Sequence, residues 1–326
     1  MNRLSFLIQF LVLAGIAMAQ NIDGWTTFNN GALWLTPSGD TVQAHAPGFL
    51  YDGGRWWMVG EDRTPGRLAD VNLYSSDDLR HWHFERKVIT LPLPDVEELR
   101  MIERAKILRS PSTGQYIIWC HWEAPDYRAS ESASFVADSI IGPYTPVFRG
   151  RPMGIKARDC NVFVDNDGTA YFIATTNENR DLGLFRLSDD YTRAVSHTVL
   201  FPGERREAPV IVRIGDTYHM LTSACTGWAP NQCKYARSYS LTNGWTPLTP
   251  VGDATCYRTQ PAAVVTIRGT KKTTYLYVGD RWKDPTLFES KTIVFPITFP
   301  NDAPCRFQPA DTFRVNLRTG EVNTNS

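Results

Sequence analysis

Residues 160–177 read CNVFVDNDGTAYFIATTN, a strand, a tight turn at Asp167-Gly168, and a second strand. The flanks carry β-branched and aromatic residues, and an Asp-Gly pair supplies the backbone angles of a two-strand hairpin. The same plan returns in residues 46–62 (APGFLYDGGRWWMVGED), 104–122 (RAKILRSPSTGQYIIWCHW), 208–225 (APVIVRIGDTYHMLTSAC) and 262–282 (AAVVTIRGTKKTTYLYVGDRW). The marker glycines Gly54, Gly114, Gly168, Gly215 and Gly269 are 60, 54, 47 and 54 residues apart. Most hairpins lead into a further strand and a polar turn, as in LYSSDDLRHWHF, SFVADSIIGPYTPV and LGLFRLSDDYTRA. Helical periodicity is weak. Four strands per unit, repeated five times, predict an all-β chain folded as a five-bladed β-propeller. Two β-sandwich domains are the structural alternative, but no linker interrupts the repeat. The reading is one catalytic domain over residues 20–326, closed by pairing its last strand with a segment near residues 25–35.

Residues 1–19 stand apart. Arg3 gives a positive start, residues 4–18 are almost wholly apolar, and Ala17-Met18-Ala19 is a small-x-small cleavage site. That is a signal peptide, and it implies a secreted protein, extracellular or periplasmic. No other apolar run reaches the ~18 residues of a spanning helix. The 34 basic and 34 acidic residues cancel and are interspersed. No basic stripe points to nucleic acid and no polybasic tract to a membrane surface. A neutral, aromatic-rich chain with ten Trp suits an uncharged sugar partner, since pyranose faces stack on aromatic rings. A monomer is expected.

The six cysteines are Cys120, Cys160, Cys225, Cys233, Cys256 and Cys305. Export permits disulfides, and the short loop between Cys225 and Cys233 favours a local bridge, while Cys120 suits a buried free thiol. No CxxC occurs and the histidines are scattered, so neither metal nor cofactor is expected. Asp165-Asn166-Asp167-Gly168 lacks the twelve-residue calcium-loop pattern and reads as a hairpin turn.

In a propeller the first strand of each unit lines the axis. Counting back from the marker glycines by 9, 11, 9, 8 and 9 residues gives His45, Glu103, Asp159, Glu207 and Gln260. Every unit thus places a polar residue where the fold needs none, and three are carboxylates. Crowded carboxylates repel, so one is expected to keep its proton near neutrality, as a general acid must. Glycoside hydrolysis needs such an acid. The bland reading is a buried salt-bridge cluster with the adjoining Arg104, Arg158 and Arg206.

At these residues the chain resembles glycoside hydrolase family 43, in its exo-β-1,3-galactanase-type branch. The resemblance spans residues 43–299 and rests on QAHAPGFL, WWMVGED, LYSSDDLRHW, ERAKIL, ARDCNVFVDNDGTAYF, REAPVIV, CTGWAPN and GDRW. CTGWAPN, QAH and GDRW are the segments most particular to that branch. The resemblance implies that Glu207 is the acid, that Asp159 tunes it, that Gln260 holds the attacking water, and that Glu103 binds sugar or accepts the proton. The first unit carries QAH where the wider family has a basic Asp, and the galactanase branch shares this departure. Glu61, Tyr127, Thr226, Trp228, Arg281 and Trp282 match positions near the sugar, and His45 belongs to the same set. The implied activity is inverting, exo-acting release of galactose from β-1,3-galactan, on a polysaccharide or oligosaccharide partner. The rivals are an α-L-arabinofuranosidase or galactofuranosidase on the same scaffold, and a carbohydrate-binding propeller without catalysis.

Overall fold

The computed structural model describes residues 23–66 and 69–324. The expected signal peptide lies outside these residues. Strand β1 (Trp25–Asn29) comes first, and five four-stranded antiparallel sheets follow in chain order. Sheet I holds β2 (His45–Asp52), β3 (Arg55–Asp62), β4 (Asp70–Ser76) and β5 (His83–Ile89). Sheet II holds β6 (Met101–Arg109), β7 (Tyr116–Glu123), β8 (Glu131–Ala137) and β9 (Thr145–Gly150). Sheet III holds β10 (Ala157–Val164), β11 (Ala170–Thr176), β12 (Asp181–Leu187) and β13 (Ala194–Leu200). Sheet IV holds β14 (Arg206–Ile214), β15 (Thr217–Ala224), β16 (Cys233–Ser238) and β17 (Thr249–Val251). Sheet V holds β18 (Gln260–Arg268), β19 (Thr273–Arg281), β20 (Lys291–Thr298) and β21 (Arg306–Phe307). The chain ends with β22 (Thr312–Asn316) and β23 (Val322–Asn323). No helix among the described residues is long and apolar enough to cross a membrane.

The first strands pack in a cycle: β2 on β6, β6 on β10, β10 on β14, β14 on β18, and β18 back on β2. Apolar side chains on both faces of each sheet divide the core into five seams. Val59 and Leu73 of sheet I meet Ile107 and Ile118 of sheet II. Ile117 and Trp119 of sheet II meet Phe172 and Phe185 of sheet III. Ile173 and Leu184 of sheet III meet Met220 of sheet IV. Leu221 and Tyr235 of sheet IV meet Ile293 and Phe295 of sheet V. The last seam joins sheets V and I, where Val265 and Leu276 pack with Met58 and Tyr74. Burying a large side chain in such a seam is worth about 1.5–3 kcal/mol.

The chain ends do pair, with Trp25 opposite Asn316 and Asn29 opposite Thr312. They form a separate three-stranded sheet, β1-β22-β23, and add no strand to sheets I–V. Each of those sheets already draws four strands from contiguous sequence. The terminal sheet instead caps the V–I seam: Phe28 stacks on Phe313 at 5.1 Å, and the Asn30 amide bonds both Val294 O and Ala310 O at 2.8 Å.

Two sequence expectations need correction. Four marker glycines hold the positive φ of a hairpin turn, but Gly269 does not: a Cβ there would lie 2.1 Å from the Thr319 backbone, so it is a close-approach glycine. The Cys225–Cys233 bridge is not formed and all six cysteines are free. Cys225 faces the central cavity, while Cys233 is wholly buried in the IV–V seam against Cys256.

Candidate active site

The five sequence-predicted ring residues all sit near the inner ends of their first strands, and each strand is bulged beside them. The ladders skip between His45 and Gly48, Glu103 and Lys106, Ala157 and Cys160, Glu207 and Val210, and Pro261 and Ala263. A bulge breaks the alternation of side chains and re-aims one of them. In three strands the residue after the ring position is left-handed: Ala46 at φ 46°, Arg104 at 53° and Ala208 at 50°. Non-glycine residues there are strained by about 1–3 kcal/mol each, which the packed seams offset.

Glu103, Asp159, Glu207 and Gln260 line one cavity of about 370 Å³. On one side stands Glu207. Burial, then the nearby Asp159 charge, push its carboxyl up to about 8, so it carries a proton at neutral pH. Asp159 lies 3.6 Å from the Arg104 guanidinium. Gln260 touches Glu207 directly, its Nε2 donating to Glu207 Oε1 at 3.0 Å and to Ser223 Oγ at 3.2 Å. The amide's orientation is fixed by its other end: Oε1 accepts from Trp282 Nε1 at 2.9 Å and Arg104 Nη1 at 3.4 Å, both donor-only groups. Neighbouring strands β14 and β18 bring the two side chains together at the axis.

Across the cavity stands Glu103. Its Oε1 accepts from Arg63 Nη2 at 2.9 Å and Tyr127 OH at 2.7 Å, and its Oε2 lies 3.1 Å from His121 Nδ1. Burial alone would raise this carboxyl, but His121, Arg63 and Tyr127 hold it well below the usual range. It is an ionised acceptor with little affinity for a further proton. Burial would lower His121 too, yet Glu103 and Glu123 (2.9 Å from Nε2) push it up to about 9. Glu103, His121 and Asp159 lie close enough together to share an ion, and the two His121 nitrogens each face a carboxylate, Glu103 at 3.1 Å and Glu123 at 2.9 Å.

Arg63 also spans the cavity, its guanidinium 5.3 Å from the Trp228 ring centre, and Trp228 meets Trp282 edge-on at 4.8 Å. Tyr127, Trp228, Trp282 and Glu61 line the cavity as the sequence predicts, although Glu61 is buried against Arg63 and the Arg104 N–H (2.7 Å). Three predicted contacts lie elsewhere. His45 is buried behind Trp282, and burial lowers it to about 3, leaving it neutral. The Thr226 hydroxyl is used within its own loop, bonding Ala229 O and Asn231 Nδ2 at 2.7 Å each. Arg281 bonds Tyr257 O and borders a small adjoining cavity.

The salt-bridge reading of the ring fails for two of its arginines. Arg206 bonds Thr222 O and Gln232 O, and Arg158 bonds Ser130 and the Tyr127 carbonyl. The sequence reading missed Arg63, His121, Asn179 and Cys225. Hairpin register gives the signal for one of them, since His121 is the cross-strand partner of Glu103.

A protonated Glu207 carboxyl facing the ionised Glu103 in an aromatic-walled cavity is glycosidase machinery. Residues 63–282 match the model of glycosyl hydrolases family 43, so the chain belongs to that family and is a glycoside hydrolase. Among solved structures it is similar to 1,3Gal43A, an exo-β-1,3-galactanase from Clostridium thermocellum. Identity is 35%, the TM-score is 0.87, and the match covers 91% of this chain and 68% of that one. It is also similar to an exo-β-1,3-galactanase of Phanerochaete chrysosporium in complex with β-1,3-galactotriose: 28% identity, TM-score 0.86, covering 92% of this chain and 71% of that one. An exo-1,5-α-L-arabinanase from a bovine ruminal metagenomic library matches at 14% identity and TM-score 0.59, over 82% of this chain and 97% of that one, which shows the fold alone. No curated protein sequence matches.

Proposed function

We propose that this chain is a secreted, inverting exo-glycosidase that releases galactose from β-1,3-galactan. The observation that carries this is the pairing of a Glu207 carboxyl pushed up to about 8 with the ionised Glu103 in one cavity. The likeness to two exo-β-1,3-galactanases supports the substrate. The arabinofuranoside reading has no comparable support, because the arabinanase match reaches the fold only. The architecture proposed is a five-bladed β-propeller, one blade per four-stranded sheet, acting as one domain over residues 20–326 after removal of residues 1–19 and working as a monomer.

In this reading Glu207 gives its proton to the departing glycosidic oxygen, and Asp159 keeps that proton in place until the sugar arrives. Trp228 and Trp282 take the apolar face of the galactose. Glu103, its carboxylate held by three donors, accepts a sugar hydroxyl instead of serving as the base. Gln260 positions the attacking water, for which its Nε2 must release Glu207. An amide takes up no proton, so as the new C–O bond forms the water's proton passes to solvent, from which Glu207 is reprotonated for the next turnover. The test is proton NMR of the first-released sugar from β-1,3-galactooligosaccharides. An initial α-galactose supports direct water attack. An initial β-galactose, or no hydrolysis alongside cleavage of aryl arabinofuranosides, would sink the proposal.

A further inference from the structure

The small cavity that Arg281 borders shares Gly227, Trp228, Gln260 and Trp282 with the active-site cavity, so the two adjoin along the Trp228–Trp282 wall. Their arginines differ. In the larger cavity Arg63 and Arg104 are each paired with carboxylates of the protein. In the smaller one Arg281 gives Nη2 to Tyr257 O at 3.1 Å, while its Nε is buried and unpartnered. Arg258 is exposed at the rim, and its guanidinium bonds no group among the described residues. The acid in this wall, Asp280, is wholly buried, accepts from Ala46 N–H at 3.1 Å, and is pushed up by burial to about 7. Asp311 is the other acid whose charge acts on Arg281.

Backbone strain holds Arg258 at that rim. Cys256, Tyr257 and Arg258 are left-handed in succession, at φ 50°, 55° and 60°. L residues enter this region rarely, and then singly. The turn is fixed by the Asp253 carboxylate, which accepts from the Thr255 and Tyr257 N–H groups at 2.9 and 2.7 Å, and by the Thr259 hydroxyl, which donates to Cys256 O at 2.6 Å. Strain of this kind gathers at ligand clamps. The cavity measures about 40 Å³. At ~10–15 Å³ for each water it has room for about three heavy atoms. That is the size of a carboxylate, whose two oxygens suit guanidinium forks. A sulfate is larger.

We propose that Arg258 and Arg281 form an anionic subsite, which takes the exocyclic carboxylate of a uronic acid seated on the Trp228–Trp282 wall. This deepens the galactan reading and rests on it for the place of the sugar. Galacturonate is the galactose ring with its C6 hydroxymethyl group replaced by a carboxylate, so it offers the two tryptophans the same apolar face. The ring stays in the cavity of Glu103 and Glu207, and the charge enters the arginine-lined one. The substrate class is then a galactan that carries acidic units.

The test is calorimetric titration of the chain with galactose, galacturonate and galactose 6-sulfate at about pH 6, where the uronate is ionised. Galacturonate should bind about tenfold more tightly than galactose. Salt at about 0.5 M should remove most of that preference. Arg258→Gln and Arg281→Gln should each lower the ratio of the two affinities by about threefold or more, with galactose as the internal control. Arg258 is exposed, so its variant carries the test even where Arg281→Gln does not fold. Equal affinities for galactose and galacturonate, a ratio that Arg258→Gln leaves unchanged, or a gain confined to the 6-sulfate would overturn the subsite. Cleavage of β-1,3-galactotriose by the native chain is measured separately. Cleavage without a galacturonate preference removes this inference alone. The preference without cleavage removes the galactanase reading and leaves the subsite standing.

Discussion

Glu103 and Glu207 occupy the same place in two copies of one unit. Each starts the inner run of its sheet beside a bulge, and each is followed by a left-handed residue. Both are buried, 5% and 8% exposed. One is held far below the ordinary carboxylate range and the other is pushed up to about 8. Backbone and burial are shared, so the difference lies in the partners. Sheet II places an imidazolium opposite Glu103 in the ladder, and the Arg63 guanidinium reaches it from sheet I. Sheet IV places neutral Ser223 opposite Glu207, and the charge that Glu207 feels most strongly is a carboxylate. Burial without a counter-ion makes an acid, whereas burial with two counter-ions makes a permanent anion.

The sharpest way to break the comparison is Glu207→Gln, which keeps shape and removes the proton. Turnover of unactivated galactan should fall by ~10²–10⁴, with a smaller loss on aryl galactosides whose leaving groups need no protonation. Equal losses on both would make Glu207 a binding group. Glu103→Gln should act differently, removing one of the two buried carboxylates that Arg63 and His121 each hold while Glu61 and Glu123 remain. Thermal unfolding should report a loss of about 1–3 kcal/mol, accompanied by a raised KM.

A subtler test concerns pH. His121 is pushed up to about 9 from an ordinary value near 6.5. Its stabilisation is therefore complete below about 6.5 and is lost as pH rises through about 9. Melting temperature should fall across that window, and His121→Asn should remove that part of the slope. The smallest effect is expected of Thr226→Ala. Its hydroxyl serves only its loop, so kcat/KM on galactooligosaccharides should stay within about twofold, roughly 0.5 kcal/mol.

The sheet-forming repeats and the polar ring were both legible, because hairpin turns and inner-strand starts are local patterns that a period of about fifty residues aligns. What the sequence hides is the partner of each ring residue. Arg63 lies just past the end of β3, outside the repeated strand. His121, Glu61, Ser223 and Asp280 sit on second strands, and register alone brings them opposite Glu103, His45, Glu207 and Gln260. The Gln260–Glu207 contact depends on how two adjacent strands meet at the axis, which no spacing encodes. The terminal sheet was half legible: the pairing of the ends follows from ring closure, but the completeness of all five sheets without them does not.

That completeness has a topological consequence. Leu317 N–H bonds Gly24 O at 2.8 Å, so the two ends of the folded chain already touch. Each of sheets I–V is cut from uninterrupted sequence, and no site residue described above lies in the terminal sheet. The molecule is in effect a closed loop that has been severed once, and the place of the cut is incidental to the chemistry. A permutant joining residue 317 to residue 24 through a short linker, and reopened at the exposed Gly215-Asp216 turn, would carry the same five inner strands in the same cyclic order around the same cavity.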